Sequence, residues 1–269
     1  MPTPQQSLFE PAPAVANSAL GLRVQACSYS AARHMAMHAH DSASLTVIAR
    51  GAVFEDSPHL SAFTACAGDC ILKPAGSRHE DRFGDVPTRT LQIRILLSDE
   101  TRPWLESIDR RGHALLRSAA VARPLLAILW GEGSTGCAAM QTTDDLLMDA
   151  LGALAALVEE RPRTPAWLAR AEREIAARLP DAVSVAGLAQ ALDIHPAHLT
   201  RAFHAAHGCG VVEFVRRRRV QMAAEMLAAS RAAICDIAQR AGFHDQAHLT
   251  RSFRDVLGTT PHAYRRERT

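Results

Sequence analysis

Ile237-Ala-Gln-Arg-Ala-Gly-Phe-His-Asp-Gln-Ala-His-Leu-Thr-Arg-Ser-Phe253 occurs earlier in the chain in a second version, Leu188-Ala-Gln-Ala-Leu-Asp-Ile-His-Pro-Ala-His-Leu-Thr-Arg-Ala-Phe203. The string Ala-His-Leu-Thr-Arg-x-Phe recurs at an offset of 50, from Ala197 to Ala247, and Gly208 and Gly258 close the copies at the same offset. Upstream, Ala189 and Ala238 differ by 49, so the second copy holds one extra residue in its turn. Chance does not readily repeat a spaced pattern of this length; it is an internal duplication.

Each copy meets the physical requirements of a helix-turn-helix. A short helix carries a small residue, Ala189 or Ala238, where a second helix must cross closely. A tight turn follows, with Gly242 free to take positive φ in the second copy. Pro196 opens the next helix in the first copy, where its fixed φ and missing N–H are harmless. Asp245 is placed to cap the corresponding helix in the second. Leu199 with Phe203, and Leu249 with Phe253, stand four apart and face a core. The residues left outward are Pro196, Ala197, His198, Thr200, Arg201 and His204 in the first copy. In the second they are Asp245, Gln246, Ala247, His248, Thr250, Arg251 and Arg254. Side chains of these types reach base edges and phosphates from a major groove, so double-stranded DNA is the expected partner.

Between the copies, Val211 to Ala229 reads as one long helix with Val211, Val215, Met222 and Met226 along one side. Such a rod would hold two recognition helices about one DNA turn (~34 Å) apart. The run Arg216 to Arg219 points all round that helix, so at least one member must pack inward or pair. Arg219 is taken as a phosphate contact; the plainer alternative is a solvated face.

Over residues 166–269 the chain resembles the DNA-binding domain of the AraC/XylS regulators. The pattern Ile237-Ala-x-x-x-Gly-Phe-x-Asp-Gln-x-x-Leu-x-Arg-x-Phe-Arg-x-x-x-Gly-x-x-Pro-x-x-Tyr-Arg265 carries the likeness. The resemblance implies promoter binding and an effect on RNA polymerase. Leu249 stands where the family often has an aromatic residue. His195 and Ala233 stand where a Ser or Thr cap is usual, which would weaken two helix starts by ~1 kcal/mol each.

The remaining composition fits this picture. With 269 residues and 48% hydrophobic content the chain can build about two cored domains. The net charge of +2 conceals an asymmetry: from residue 165 onward 15 arginines face 10 acids, and the rest of the chain is net acidic. Six scattered cysteines lack framework or zinc spacing and read as reduced, small apolar residues. The absence of a signal-like start and of any ~20-residue apolar run points to a cytoplasmic protein with no membrane partner.

Residues 1–19 read as a mobile leader. Residues 20–97 are strand-like, as in Ser44 to Ala49 and Thr88 to Leu97, and 101–160 are helical. The helix entered at Thr143-Asp-Asp is apolar enough to suggest a homodimer interface, or packing on its own domain. Two prolines in 161–166 mark a linker. The expected fold class is therefore α+β: a sheet-rich domain with helices over 20–160, then an all-α double helix-turn-helix domain over 167–269.

In the first of these, an extended Arg33-His-Met-Ala-Met-His-Ala-His40 would put His34, His38 and His40 on one face and Met35 and Met37 on the other. Gly68-Asp-Cys-Ile-Leu-Lys-Pro-Ala-Gly-Ser-Arg-His79 resembles the second cupin motif, and His38-x-His40 the first. The resemblance implies a cupin-like β-barrel. It also implies a site for a divalent metal at His38, His40 and His79, but Ser44 stands where metal-binding cupins carry a glutamate; Glu55 on the next strand is a substitute. The same His38, His40, Glu55 and His79 are the polar candidates for an organic effector. The expectation is an effector-responsive transcription factor and not an enzyme. The rival is a cupin metalloenzyme, of dioxygenase or isomerase type, fused to a DNA-binding module.

Overall fold

Strands fill the first part of the chain and helices the last. The computed structural model describes residues 16–17, 22–58, 60–99, 101–131, 142–159, 165–179, 181 and 183–266. Six strands form one antiparallel sheet in the order β1 (Ala16–Asn17), β2 (Leu22–Tyr29), β9 (Thr88–Ile95), β4 (Ala43–Arg50), β7 (Cys70–Lys73), β10 (Ala114–Leu116). Four form a second: β3 (His34–His38), β8 (His79–Phe83), β5 (Ala52–Ser57), β6 (Leu60–Cys66). The expected barrel is thus two facing sheets, which no hydrogen-bonded pair closes among the described strands.

β4 shows why the layers form. All eight of its residues are buried. Leu45, Val47 and Ala49 join the core beneath the helices, while Ile48 on the opposite face meets Val53, Ile71 and Phe83 between the sheets. Over the six-stranded sheet lie α1 (Arg102–Arg111), α2 (Ala119–Trp130) and α3 (Thr143–Glu159). Thr142 and Asp145 cap α3 reciprocally: each side-chain oxygen accepts the other's backbone N–H, at 2.8 and 3.2 Å. Leu147, Ala150, Leu151 and Leu154 of α3 are buried in this same core. The apolar face that suggested a dimer is therefore occupied within the chain.

Two expectations change. Ala16–Asn17, within the proposed leader, pair with β2 as a short edge strand. The segment expected to be helical from 101 to 160 is interrupted by β10, whose Ala-Leu-Leu pairs along the edge of β7. The remainder of the leader, and residues 161–164 of the proposed linker, lie outside the described residues. So does Cys137; Cys27, Cys66, Cys70, Cys209 and Cys235 are free thiols, buried except for Cys235.

The helical part comprises α4 (Ala166–Arg178), α5 (Val185–Ala191), α6 (Pro196–His207), α7 (Val211–Ala229), α8 (Ile234–Arg240), α9 (Gln246–Leu257) and α10 (Pro261–Arg266). Its interior is divided. Residues of α4, α5 and α6, with Val211, Phe214 and Val215 of α7, form a small core of their own. From Val220 onward α7 joins α8, α9, α10 and the six-stranded sheet in one large core. No described helix is long and apolar enough to cross a membrane.

Polar contacts bind α7 to the turn between β6 and β7. Arg217 is 4% exposed, and its guanidinium donates to the carbonyl of Gly68 at 3.0 Å and to that of Arg117. Gln221 Nε2 donates to Ala67 O at 3.0 Å and to Asp69 Oδ1 at 3.1 Å. Gly68 takes φ +87°, and a Cβ there would lie 3.3 Å from Leu257 and 3.4 Å from Val256, so the turn and α9 approach as closely as a glycine allows. Trp130 on α2 donates to Leu257 O at 2.8 Å.

Candidate nucleic-acid interface and ligand pocket

The pocket lies between the two sheets. Pairing of β3 with β8 sets His38 directly across from His79, and pairing of β8 with β5 sets Asp81 across from Glu55. His40, just beyond β3, completes the cluster: the ligating atoms of His38, His40 and His79 all lie within 4.8 Å of one another. The Nδ1 atoms of His38 and His79 donate to the carbonyls of Ala36 and Ser77 at 2.8 and 2.9 Å. That fixes the tautomer of each neutral ring and leaves Nε2 as a lone pair. Neither Nε2 has a hydrogen-bond partner among the described residues, although both are shielded from solvent. Burial, reinforced by the Lys73 charge, pushes His79 down to about 3. Burial and the neighbouring His38 push His40 down to about 4. Both rings are neutral near pH 7, as a metal ligand must be.

His34 is not part of the cluster. A register shift between Met35 and His38 turns the strand over, so Met35 lines the pocket and His34 makes a 2.9 Å ion pair with Glu80 instead.

Two opposed carboxylates repel, and a lysine from the other sheet answers them. Lys73 on β7 places Nζ 3.0 Å from Glu55 Oε2 and 3.6 Å from Asp81 Oδ1. Glu55 Oε1 pairs with His113 Nε2, and His113 Nδ1 lies 3.0 Å from Ser77 Oγ. Burial pushes Glu55 up, but the His113 hydrogen bond and Lys73 outweigh it and hold the carboxyl below its ordinary range. Asp81 is held above its own, first by burial and then by Glu55, against the pull of Lys73. Glu55 therefore lines the pocket with its oxygens committed to Lys73 and His113. The cavity offers about 30 Å³. A water needs about 10–15 Å³, whereas pockets for organic ligands run to hundreds. Lys73, Asp81 and His113 were not singled out from sequence, although Asp81 follows His79 by two residues on one strand face.

The other candidate site is on α6 and α9. Leu199, Phe203, Leu249 and Phe253 are all 0% exposed, so the opposite faces point outward as the duplication predicts. Pro196, Ala197, His198, Arg201 and His204 on α6 are exposed, as are Asp245, Gln246, Ala247, Arg251 and Arg254 at α9. Thr200, His248 and Thr250 are half-buried. Both threonine hydroxyls donate back along the helix, to Pro196 O at 3.0 Å and Gln246 O at 2.8 Å. Asp245 caps α9 by accepting from His248 N at 2.6 Å. His195 caps α6 through its ring, Nδ1 accepting from Ala197 N at 3.2 Å, so the weak start expected there is met only at Ala233, which gives α8 no side-chain cap.

A family model described as "Helix-turn-helix domain" matches residues 188–267. Over 72 residues the chain is 42% identical to the "Probable transcription factor PqrA" of Proteus vulgaris, covering 27% of this chain and 59% of that one. Over 86 residues it is 33% identical to a protein of Streptomyces lividans named as an AraC-like transcription regulator, covering 32% of this chain and 28% of that one. The C-terminal part of this chain is an AraC-type helix-turn-helix domain. The matches span no more than 59% of these relatives, so the likeness concerns that domain. The structure of ToxT from Vibrio cholerae O395 covers 93% of this chain and 98% of its own at 14% identity, with a TM-score of 0.40; so loose a likeness carries no argument.

Within the AraC-type domain the arginine run of α7 is engaged by protein. Arg216 pairs with Glu213 and Asp255, Arg217 is the buried anchor described above, and Arg218 donates to Gln221 at 2.8 Å. Arg219, expected at a phosphate, donates to the carbonyl of Asp181 at 2.9 Å. By contrast the side chains of Arg201, Gln246 and Arg254 have no hydrogen-bond or ion-pair partner among the described residues.

Proposed function

We propose that this protein is a DNA-binding transcription regulator that inserts α6 and α9 into successive major-groove faces of a promoter. The observation that carries this reading is the pair of helices sharing one buried face, each presenting polar side chains with no partner among the described residues. Arg201 and Gln246 read base edges, and Arg251 and Arg254 reach bases or backbone. RNA polymerase is the expected downstream partner, in the cytoplasm.

The signal enters at the pocket. His38, His40 and His79 fit a divalent transition metal: three imidazoles with converging donor atoms, two of them fixed by backbone carbonyls. A bound ion would supply a charge that ties β3 to β8. The small cavity favours an ion over an organic effector. β7 supports a route outward: Lys73 at one end faces the pocket, and the turn preceding Cys70 at the other is gripped by Arg217 and Gln221. A ligand acts by favouring one arrangement of this turn and α7 over another.

The test begins with selection of bound sequences from random or genomic DNA by the full chain. Arg201→Ala and Gln246→Ala should then each weaken specific binding by ~1–3 kcal/mol with an unchanged fold. Unaltered affinity in both variants would remove α6 and α9 as the reading elements.

A further inference from the structure

A second cavity opens between α4 and α7 and shares no lining residue with the histidine pocket. Its volume is about 380 Å³, within the ~300–1,000 Å³ of pockets that take organic ligands. One wall is a single face of α4, where Ala169, Glu172, Arg173 and Ala176 follow the three- and four-residue steps of a helix stripe. The other is α7, through Phe214 and Arg218 one turn apart, and Arg117, between β10 and α2, completes the lining. The two alanines leave the space, and the charges around it do not cancel. Glu172 is the one carboxylate on the lining among the described residues. Both its oxygens are taken, Oε2 by Arg117 at 2.8 Å and Oε1 by His207 at 3.1 Å. Arg173 is exposed and has no hydrogen-bond or ion-pair partner among the described residues. Arg218 donates to the neutral amide oxygen of Gln221 at 2.8 Å and forms no ion pair among them. Glu225, two turns further along α7, is raised above its ordinary range by burial, against the pull of Arg218. Arg117 Nε is shielded from solvent without a partner, and its guanidinium carbon lies 6.0 Å from the centre of the Phe214 ring.

We propose that this cleft binds a small organic dianion, a dicarboxylate or a phosphate monoester, between Arg173 on α4 and Arg218 on α7. Three guanidiniums around one cavity repel one another, and two of them bring no carboxylate of their own. An anion between them removes that repulsion and gains charge-assisted hydrogen bonds. The planar fork of arginine suits the paired oxygens of carboxylate and phosphate, the chemistry that both ligand types share. Ala169, Ala176, Phe214 and the arginine stems give the rest of the ligand an apolar wall, which an inorganic ion would leave unused. Two uncompensated cations set the charge the ligand must bring. The place of the cleft gives the binding a consequence. α4 belongs to the core of the first helix-turn-helix, and α7 carries the second half of its length into the core shared with the sheet. An occupant held by both helices keeps the first recognition helix in the arrangement seen here. That consequence rests on the reading of α6 and α9 as DNA-reading helices; the binding of the anion does not.

The full-length protein is titrated by calorimetry with phthalate, phenyl phosphate and inorganic phosphate, and its thermal unfolding is followed with each. At least one organic dianion should bind at one per chain, about tenfold or more tighter than inorganic phosphate, and raise Tm. Which of the two it is separates a dicarboxylate from a phosphate ester. Arg173→Ala and Arg218→Ala should each weaken that binding about tenfold or more. Ala176→Phe should abolish it by filling the space, and His38→Ala should leave it unchanged. Without ligand, both arginine variants should keep the parent's Tm to within a few degrees, so a lost fold does not mimic a lost site. Saturation by neither organic dianion at about 10 mM, equal affinity for inorganic phosphate, or parent-like affinity in both arginine variants would overturn the proposal. So would weaker binding of both variants to unrelated duplex DNA in the absence of the anion, since the two arginines would then be contacts to DNA phosphates. None of these results bears on base reading by Arg201 and Gln246, which is tested separately.

Discussion

Single residues mark where local rules hold and where they stop. Gly242 takes φ +80° in the turn of the second copy, as expected; in the first copy Asp193 adopts φ +54°, a conformation aspartate tolerates better than most residues. Gly242→Ala should therefore destabilise the protein by about 1 kcal/mol or more in urea unfolding, whereas Asp193→Gly should change it little. Glu172 on α4 is a second sensitive point, receiving Arg117 at 2.8 Å and His207 at 3.1 Å. Burial pushes its carboxyl up, but these partners prevail and hold it below its ordinary value. Between the folded and unfolded values the unfolded chain binds more protons. The stabilisation is thus complete above about pH 4.3 and is lost as pH falls through the lower, folded value. Glu172→Gln should melt below the parent at pH 7, and the gap in Tm should narrow as pH falls below about 4.3 and through the lower, folded value. A gap that stays constant over that range would show that the charge on Glu172 contributes nothing. The pocket was legible in His38, His40 and His79 because they fall in spaced motifs. His113 was not, since nothing in its neighbourhood points to Glu55, far away in sequence. His34 was misplaced because a strict two-residue alternation cannot foresee a bulge.

At the scale of elements, the duplication made α6 and α9 legible, and their buried and exposed faces follow from the four-residue spacing of Leu199 with Phe203 and Leu249 with Phe253. β10 was hidden, because Ala114-Leu-Leu is too short to declare a strand before its partner edge exists. α7 was recognised as a helix, and its four arginines required one to turn inward. Which one did so depended on the turn at Gly68, a tertiary fact. Arg217→Ala should leave the carbonyls of Gly68 and Arg117 without this donor and cost roughly 1.5–3 kcal/mol. Arg218→Ala, which removes a partly solvated contact, should cost under about 1 kcal/mol. Urea titrations of the two variants distinguish an anchor from a solvated face; equal losses would contradict the role given to Arg217.

Over the whole molecule, the sequence divides at a proline-rich break before α4, but the packing divides within α7. The first helix-turn-helix has its own core, and the second shares one with the six-stranded sheet. Composition shows that two cores can form; it does not show which surfaces meet, because α8, α9 and the helices over the sheet are apolar in the same way. Native-state hydrogen exchange should accordingly find α8 and α9 protected together with β4 and β9, and α4, α5 and α6 opening as a separate unit. Common protection of α5, α6, α8 and α9, distinct from the sheet, would contradict this division.

The shared core also limits how such a protein can be rebuilt. A chimaera joined at the proline-rich break, exchanging the sheet-rich half for that of another protein, would cut through one interior and not between two. Phe253, Val256 and Leu257 would face a foreign sheet, and Arg217 and Gln221 would lose the turn they hold. A working transplant has to bring a matching surface for α9 with it, so the two halves are replaced together and not exchanged as parts.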